Sequence, residues 1–329
     1  MAEEPVVPSV VTSPAPAWRT ALATLAVCAE LGKARLSALV VLTAGVGFIL
    51  AARADIDWSR LGFAVLGTAF AALGANALNE WIETERDARM VRTRRRPLPT
   101  RRISRGSALA FGLVIGAAGP CLLAAKLNAT AAVLALAALL IYVLLYTPLK
   151  TRTPLNTLVG AVVGALPPLV GWAAATGRVD AGGWILSGIL FLWQIPHFVA
   201  LAWLYREDYA RGGFRMLPTV DPAGHLTGCI AVVYTLVLLL LALMPTLAGV
   251  AGLVYALGSL VLGSALLLIG VGLERRRTHA AARHLFLASV VYLPLLLGLM
   301  VLDRQPADTA TVAPPVTVAL PDTADPAAG

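Results

Sequence analysis

The chain has 329 residues, of which 58% are hydrophobic and only 13% charged, and its mean hydropathy is +0.79. A soluble domain of this length cannot hide that much apolar surface, so composition places the chain in a lipid bilayer and excludes a water-soluble fold. The net charge of +8 is explained below by the membrane, with no nucleic-acid partner.

The first residues carry Glu3 and Glu4, where a secretory or transit peptide would be basic. Residues 1–32 are therefore expected to be a disordered lead-in, with a mildly amphipathic stretch at 18–31 lying along the interface. Residues 33–303 form the membrane domain. Residues 304–329, rich in Pro, Ala, Thr and Asp, form a disordered tail.

Within the membrane domain the apolar runs last ~20 residues rather than the ~10 of a barrel strand, so the fold class is an all-α polytopic bundle without strands. About nine transmembrane helices are predicted, at 36–52, 61–82, 106–125, 129–147, 157–176, 184–203, 227–247, 249–273 and 282–302. In this arrangement 21 of the 26 Lys and Arg fall on the face that carries the N-terminus and the even-numbered joints. The excess predicts a cytoplasmic N-terminus and an outside C-terminus in a bacterial plasma membrane. Pro167 and Pro168 interrupt span five and predict a kink, which serves either packing or a cavity. The G-x-x-x-G spacings at Gly112/Gly116 and Gly160/Gly164 allow close helix approach and carry no functional weight alone. Cys28, Cys121 and Cys229 are far apart and form no disulfide, zinc or haem-attachment pattern.

The end of span two reads N-A-L-N-E-W-I-E-T-E-R-D from residue 76, followed by A-R-M-V-R-T-R-R-R-P-L-P. Asn79, Glu83 and Asp87 are spaced i, i+4, i+8 and share one helix face, with Asn76 a turn below. Carboxylates this near a bilayer usually face a cavity, and hard oxygen ligands on one face suit Mg²⁺ held together with substrate phosphates. Arginines just beyond, Arg92 and Arg96 among them, supply phosphate-binding forks. An ordinary charged helix end, with acids offsetting arginines, accounts equally well for this spacing alone. After span six, W-L-Y-R-E-D-Y-A-R-G-G-F-R-M-L-P contains Glu207 and Asp208. Two acidic sites on one face are what a diphosphate held between metal ions needs, although a solvated loop also explains the second. Span four ends in Y-T-P-L-K, placing Tyr146 and Lys150 one turn apart; they can donate to phosphate oxygens or simply anchor the interface.

His197 and Gln194 lie inside span six, in L-W-Q-I-P-H-F. Polar groups in apolar sequence need partners, and imidazole is also a usual axial ligand for haem iron. His197 is thus either an interhelical hydrogen-bonding residue or a substrate contact. No phosphate-binding glycine loop, dinucleotide fingerprint, metalloprotease motif or redox cysteine pair is present.

Taken together, these blocks resemble the UbiA-type intramembrane prenyltransferases, which carry N-x-x-x-[DE]-x-x-x-D after helix two and a second acidic motif after helix six. Within that superfamily the chain is most similar to the protoheme IX farnesyltransferases, through N-E-W-I-E-T-E-R-D-A-R-M-V-R-T-R-R-R-P-L-P, Y-T-P-L-K, G-A-L-P-P-L-V-G-W, L-W-Q-I-P-H-F and Y-R-E-D-Y-A-R-G-G-F-R-M-L-P. Glu83 stands where the family often has Asp, which affects the metal geometry. The resemblance implies transfer of the farnesyl group of farnesyl diphosphate to the 2-vinyl of haem B, with addition of water. It implies that Asn79, Glu83, Asp87 and Asp208 bind diphosphate through Mg²⁺, that Lys150, Tyr146, Arg96 and Arg92 face the leaving group, and that His197 and Gln194 seat the haem. A haem A synthase or terminal oxidase is the assembly partner it suggests. Two rivals remain at this level: a prenyltransferase acting on an aromatic quinone precursor, and a membrane transporter. Against transport, the acids lie at one face rather than the midplane, and no inverted repeat of broken helices is visible.

Overall fold

The computed structural model describes residues 25–53 and 55–306, with the Arg35 side chain left out. Expectations for residues 1–24 and 307–329 lie outside the described residues.

The described residues are almost entirely helical: α1 (Leu25–Leu31), α2 (Ala34–Ala52), α3 (Trp58–Asp87), α4 (Arg105–Lys126), α5 (Ala129–Leu149), α6 (Asn156–Thr176), α7 (Ala181–Leu204), α8 (Arg206–Arg211), α9 (His225–Leu247), α10 (Leu253–Arg276) and α11 (His279–Leu302). Eight of them are long and apolar enough to span a bilayer, and the count reaches nine where α2 and the short α1, bent by 71° to one another, are taken as one span. Short polar side chains mark the starts. Asp57, Ser104, Asn128, Asp180 and Thr278 each accept a backbone N–H from the first turn of the following helix, satisfying donors that lipid cannot. The one β pairing among the described residues is an isolated bridge between Ala251 and Arg304.

Two boundaries differ from the sequence expectation in ways that matter. First, α3 continues past Ile82 to Asp87 and is 30 residues long, about 45 Å at the helical rise, so its last turns extend beyond the hydrocarbon. Second, α10 starts at Leu253 because Gly249 adopts a φ of +64° and turns the chain first.

The bundle has two cores. One joins α2 to α6 around Phe48, Ala71, Leu123, Ala135 and Val170; the other joins α7, α9, α10 and α11 around Trp193, Leu238, Tyr255 and Leu293, with Leu50 and Trp172 reaching in from α2 and α6. Close approach within the first core depends on missing side chains. A Cβ on Gly74 of α3 would run into the Gly116 backbone of α4, so the Gly112/Gly116 spacing packs helices as small residues do in membranes. Outward-facing Val114, Val133, Leu257 and Leu268 are 63–73% exposed, a surface suited to lipid rather than water.

The joints sort to two ends. Arg304 Nε donates to the Arg53 carbonyl at 3.1 Å, and the Gln305 N–H donates to Val250 at 3.0 Å, gathering the chain after α2, before α10 and after α11. At the opposite end the Arg215 N–H meets the Lys150 carbonyl at 2.7 Å, and Arg86 reaches the Gly212 carbonyl at 3.1 Å.

Candidate functional site

The acidic face of α3 is held at this second end by cations from three other segments. Asn79, Glu83 and Asp87 are all buried. Lys33, in the turn before α2, donates to Asn79 Oδ1 at 2.7 Å, and Asn79 Nδ2 donates to Thr147 Oγ1 at 3.1 Å. Lys150 Nζ lies 2.9 Å from Glu83 Oε1 and donates to Oε2 at 3.1 Å. Arg96 Nη1 donates to Asp87 Oδ2 at 2.6 Å. All of these except Thr147, together with Arg92 and Tyr146, line a small polar pocket of about 60 Å³. Burial is the largest influence and works against the Lys150 ammonium, but the Glu83 carboxylate and the Tyr146 and Tyr142 hydroxyls around it together outweigh that penalty and hold its pKa above the ordinary lysine value.

Local chemistry explains how α5 delivers its residues. Pro148 has no N–H to continue the helical ladder, and the turns before it widen into a π-helix over Ile141–Tyr146, with the Thr147 N–H bonded to the Tyr142 carbonyl. The wide turn brings Tyr142 and Tyr146 together at 5.2 Å between ring centroids and places Lys150 over the Tyr146 ring at 4.7 Å. Tyr146 lines the polar pocket and also a second, mostly apolar cavity of about 350 Å³ enclosed by α2, α3, α5, α6 and α7. Its volume falls in the range of small-molecule sites. His197, Gln194, Asn76 and Tyr142 are polar residues on its wall, and Pro167 borders it, so one of the two prolines of α6 sits beside a cavity while Pro168 packs its backbone against Gly47.

Asp87 Oδ1 is buried and accepts no hydrogen bond, while Glu83 Oε1 meets only the Lys150 ammonium, at 2.9 Å. No group of three or more His, Cys, Asp or Glu among the described residues is placed to hold a metal alone. The donor set therefore fits a hard cation that takes two carboxylate oxygens from the protein and the rest from phosphate and water, as Mg²⁺ commonly does. Asp208 is not brought into the pocket lining. Its two oxygens accept the backbone N–H groups of Val91 and Arg92, both at 3.1 Å. The Arg92 guanidinium then donates to the Tyr209 hydroxyl at 3.2 Å and stacks over Tyr205 at 4.8 Å. Glu207 is exposed.

Several contributors have no local sequence signal. Lys33 precedes the first long helix and meets α3 only in three dimensions. Gly160 and Gly164 carry no side chain because the Tyr146 ring and the Gln194 amide occupy that space, so a spacing that reads as packing also shapes the cavity. Glu80 is fully buried and accepts the Leu98 N–H at 3.3 Å, anchoring the basic loop that follows α3.

An acid- and base-lined pocket at one end of a transmembrane bundle, sharing Tyr146 with an apolar cavity within it, has the shape of a membrane enzyme site for an amphiphilic substrate. The chain belongs to the UbiA prenyltransferase family, whose model matches residues 40–293. A Protoheme IX farnesyltransferase from Solibacter usitatus is 43% identical over 284 residues, covering 84% of this chain and 97% of that relative. Among solved structures, that of a digeranylgeranylglyceryl phosphate synthase superposes with a TM-score of 0.73 at 16% identity, covering 85% of this chain and 98% of the other. A UbiA homologue from Archaeoglobus fulgidus, bound to DMAPP and Mg²⁺, gives 0.63 at 16% identity over 83% and 98% of the two chains. These distant structures support the fold.

Proposed function

We propose that this protein transfers the farnesyl group of farnesyl diphosphate to the 2-vinyl group of haem B, with addition of water, giving haem O. The observation that carries the reading is Tyr146, which borders both the polar pocket and the apolar cavity, so that a diphosphate bound in the pocket would lie next to a hydrocarbon chamber. The 43% identity to a named farnesyltransferase over most of both chains supports the choice of substrates.

The diphosphate binds among Lys33, Lys150, Arg96 and Arg92. Glu83 and Asp87, with Asn79 beside them, would hold Mg²⁺, which would neutralise charge on the diphosphate oxygens. Breaking the C1–O bond sends its electron pair to the diphosphate, where the preorganised cations stabilise the growing charge. Tyr146 closes the floor between leaving group and cavity. The allylic cation is attacked by the terminal vinyl carbon, the cation formed next to the macrocycle takes up water, and that water loses a proton. Apolar walls keep water from the farnesyl cation before the vinyl reaches it.

The purified protein given haem B, farnesyl diphosphate and Mg²⁺ is expected to yield a haem heavier by one farnesyl group and one water. Recovery of unchanged haem B, together with prenylation of an aromatic acid, would overturn the acceptor and leave a quinone-precursor prenyltransferase.

This reading includes the bacterial plasma membrane, a cytoplasmic N-terminus and an outside C-terminus, with residues 33–303 as the catalytic membrane domain. Haem A synthase or a terminal oxidase, as consumers of the product, are the partners it implies. The supporting fact is the 21 of 26 basic residues on one face. A periplasm-active reporter fused after Asp303 should be active and one fused after Arg215 silent; the reverse pattern would invert the topology.

A further inference from the structure

The α7 side of the apolar cavity carries His197 and Gln194, and α11 steadies it. Trp193 and His197, one turn apart on α7, both reach Ser289 of α11. Trp193 Nε1 donates to the Ser289 carbonyl at 2.8 Å, and His197 Nδ1 lies 2.9 Å from Ser289 Oγ. Ser289 Oγ also lies 2.6 Å from the Phe286 carbonyl. A carbonyl cannot donate, so the single hydroxyl proton belongs to that contact, and Oγ accepts from His197. His197 is thereby the Nδ1–H tautomer. Its Nε2 lone pair has no partner among the described residues. Trp193 stacks on the ring at 5.0 Å between centroids with an interplanar angle of 23°, and Phe286 lies 5.0 Å away on its own element. Ring rotation is restrained as well as the proton.

Gln194 follows the same pattern. Its Nε2 donates to the Leu190 carbonyl at 2.9 Å and the Ala161 carbonyl at 3.4 Å, which fixes the amide orientation and leaves Oε1 as a free acceptor in the space that Gly164 leaves open. This face of α7 therefore offers lone pairs and no spare side-chain donors. Carboxylates such as haem propionates need donors and are not served here, whereas a metal centre in a flat tetrapyrrole is.

We propose that Ser289 is a positioning residue that holds His197 as a neutral imidazole with Nε2 free to ligate the iron of the haem substrate, the propionates lying away from α7. A histidine ligand almost always has its other ring nitrogen fixed by such a partner, and losing that partner typically weakens metal affinity 10–100-fold. The proposal rests on haem as the acceptor.

The test uses the full chain in lipid nanodiscs with ferrous haem B, reading the iron–imidazole stretching band by resonance Raman, haem affinity, and farnesyl diphosphate binding as a check on folding. Wild type should show the band. Ser289→Ala should lose or split it and bind haem roughly tenfold more weakly. Ser289→Thr, which keeps the hydroxyl, should restore both, and diphosphate binding should hold in all three. An unchanged band and affinity in Ser289→Ala would overturn the positioning role. Farnesylated haem made by a wild-type protein that shows no iron–imidazole band would overturn the ligation while the proposed function stands. Failure of wild type to make any farnesylated haem would remove the proposed function itself.

Discussion

Asp87→Asn is expected to lower farnesyl transfer by about 10³-fold, the scale on which removal of one preorganised electrostatic contact slows an enzyme, while leaving the protein folded and inserted. Asp87 is fully buried, with one oxygen on Arg96 at 2.6 Å and the other without a hydrogen bond. Asparagine has nearly the same shape, and its carbonyl can still accept from Arg96, so the pocket keeps its geometry. What it loses is the negative charge that a divalent cation requires on this helix face. The loss should appear in kcat, because charge stabilisation grows as the C1–O bond breaks, and haem binding should be unaffected because His197 and Gln194 lie in the other cavity. Steady-state kinetics alongside a thermal melt in detergent measure both sides. Transfer within threefold of wild type would remove Asp87 from the reacting centre.

Hydropathy alone makes the bundle legible, because lipid leaves an apolar run of ~20 residues no option but helix. The basic residues reveal which joints share a face, and the joints do cluster that way at Arg53 with Arg304 and at Lys150 with Arg215. The Asn79, Glu83, Asp87 stack is equally readable, since a helix fixes i, i+4, i+8 neighbours. Its cationic partners are not. Lys33 and Asn79 are 46 residues apart, and Lys150 and Glu83 are 67 apart, distances that no local period encodes. Ser289 is a serine in an apolar run, and nothing in that run points to a histidine 92 positions earlier. Gly164 is another case: a small residue in a membrane helix reads as packing, and only the Gln194 amide lying against it reveals its second use.

The same limit applies to Asp208. Its type and its place after span six suggest a metal ligand, and the structure turns both of its oxygens onto a loop. Asp208→Ala is expected to cut transfer by about 10²-fold through that loop. Two N–H groups, of Val91 and Arg92, would lose their shared acceptor, and a hydrogen bond to a charged group contributes roughly 1.5–3 kcal/mol. Asp208 is itself 7% exposed, so water does not easily replace it. The segment released carries Arg92 and leads to Arg96, two of the cations proposed to meet the diphosphate. Their misplacement should raise KM for farnesyl diphosphate and leave the Mg²⁺ activation midpoint in place, while the Val91 and Arg92 amides exchange hydrogen faster. A ligand would behave otherwise. If the Mg²⁺ midpoint moves tenfold or more and those amides stay protected, Asp208 acts on the metal, and the loop contacts are secondary to that role.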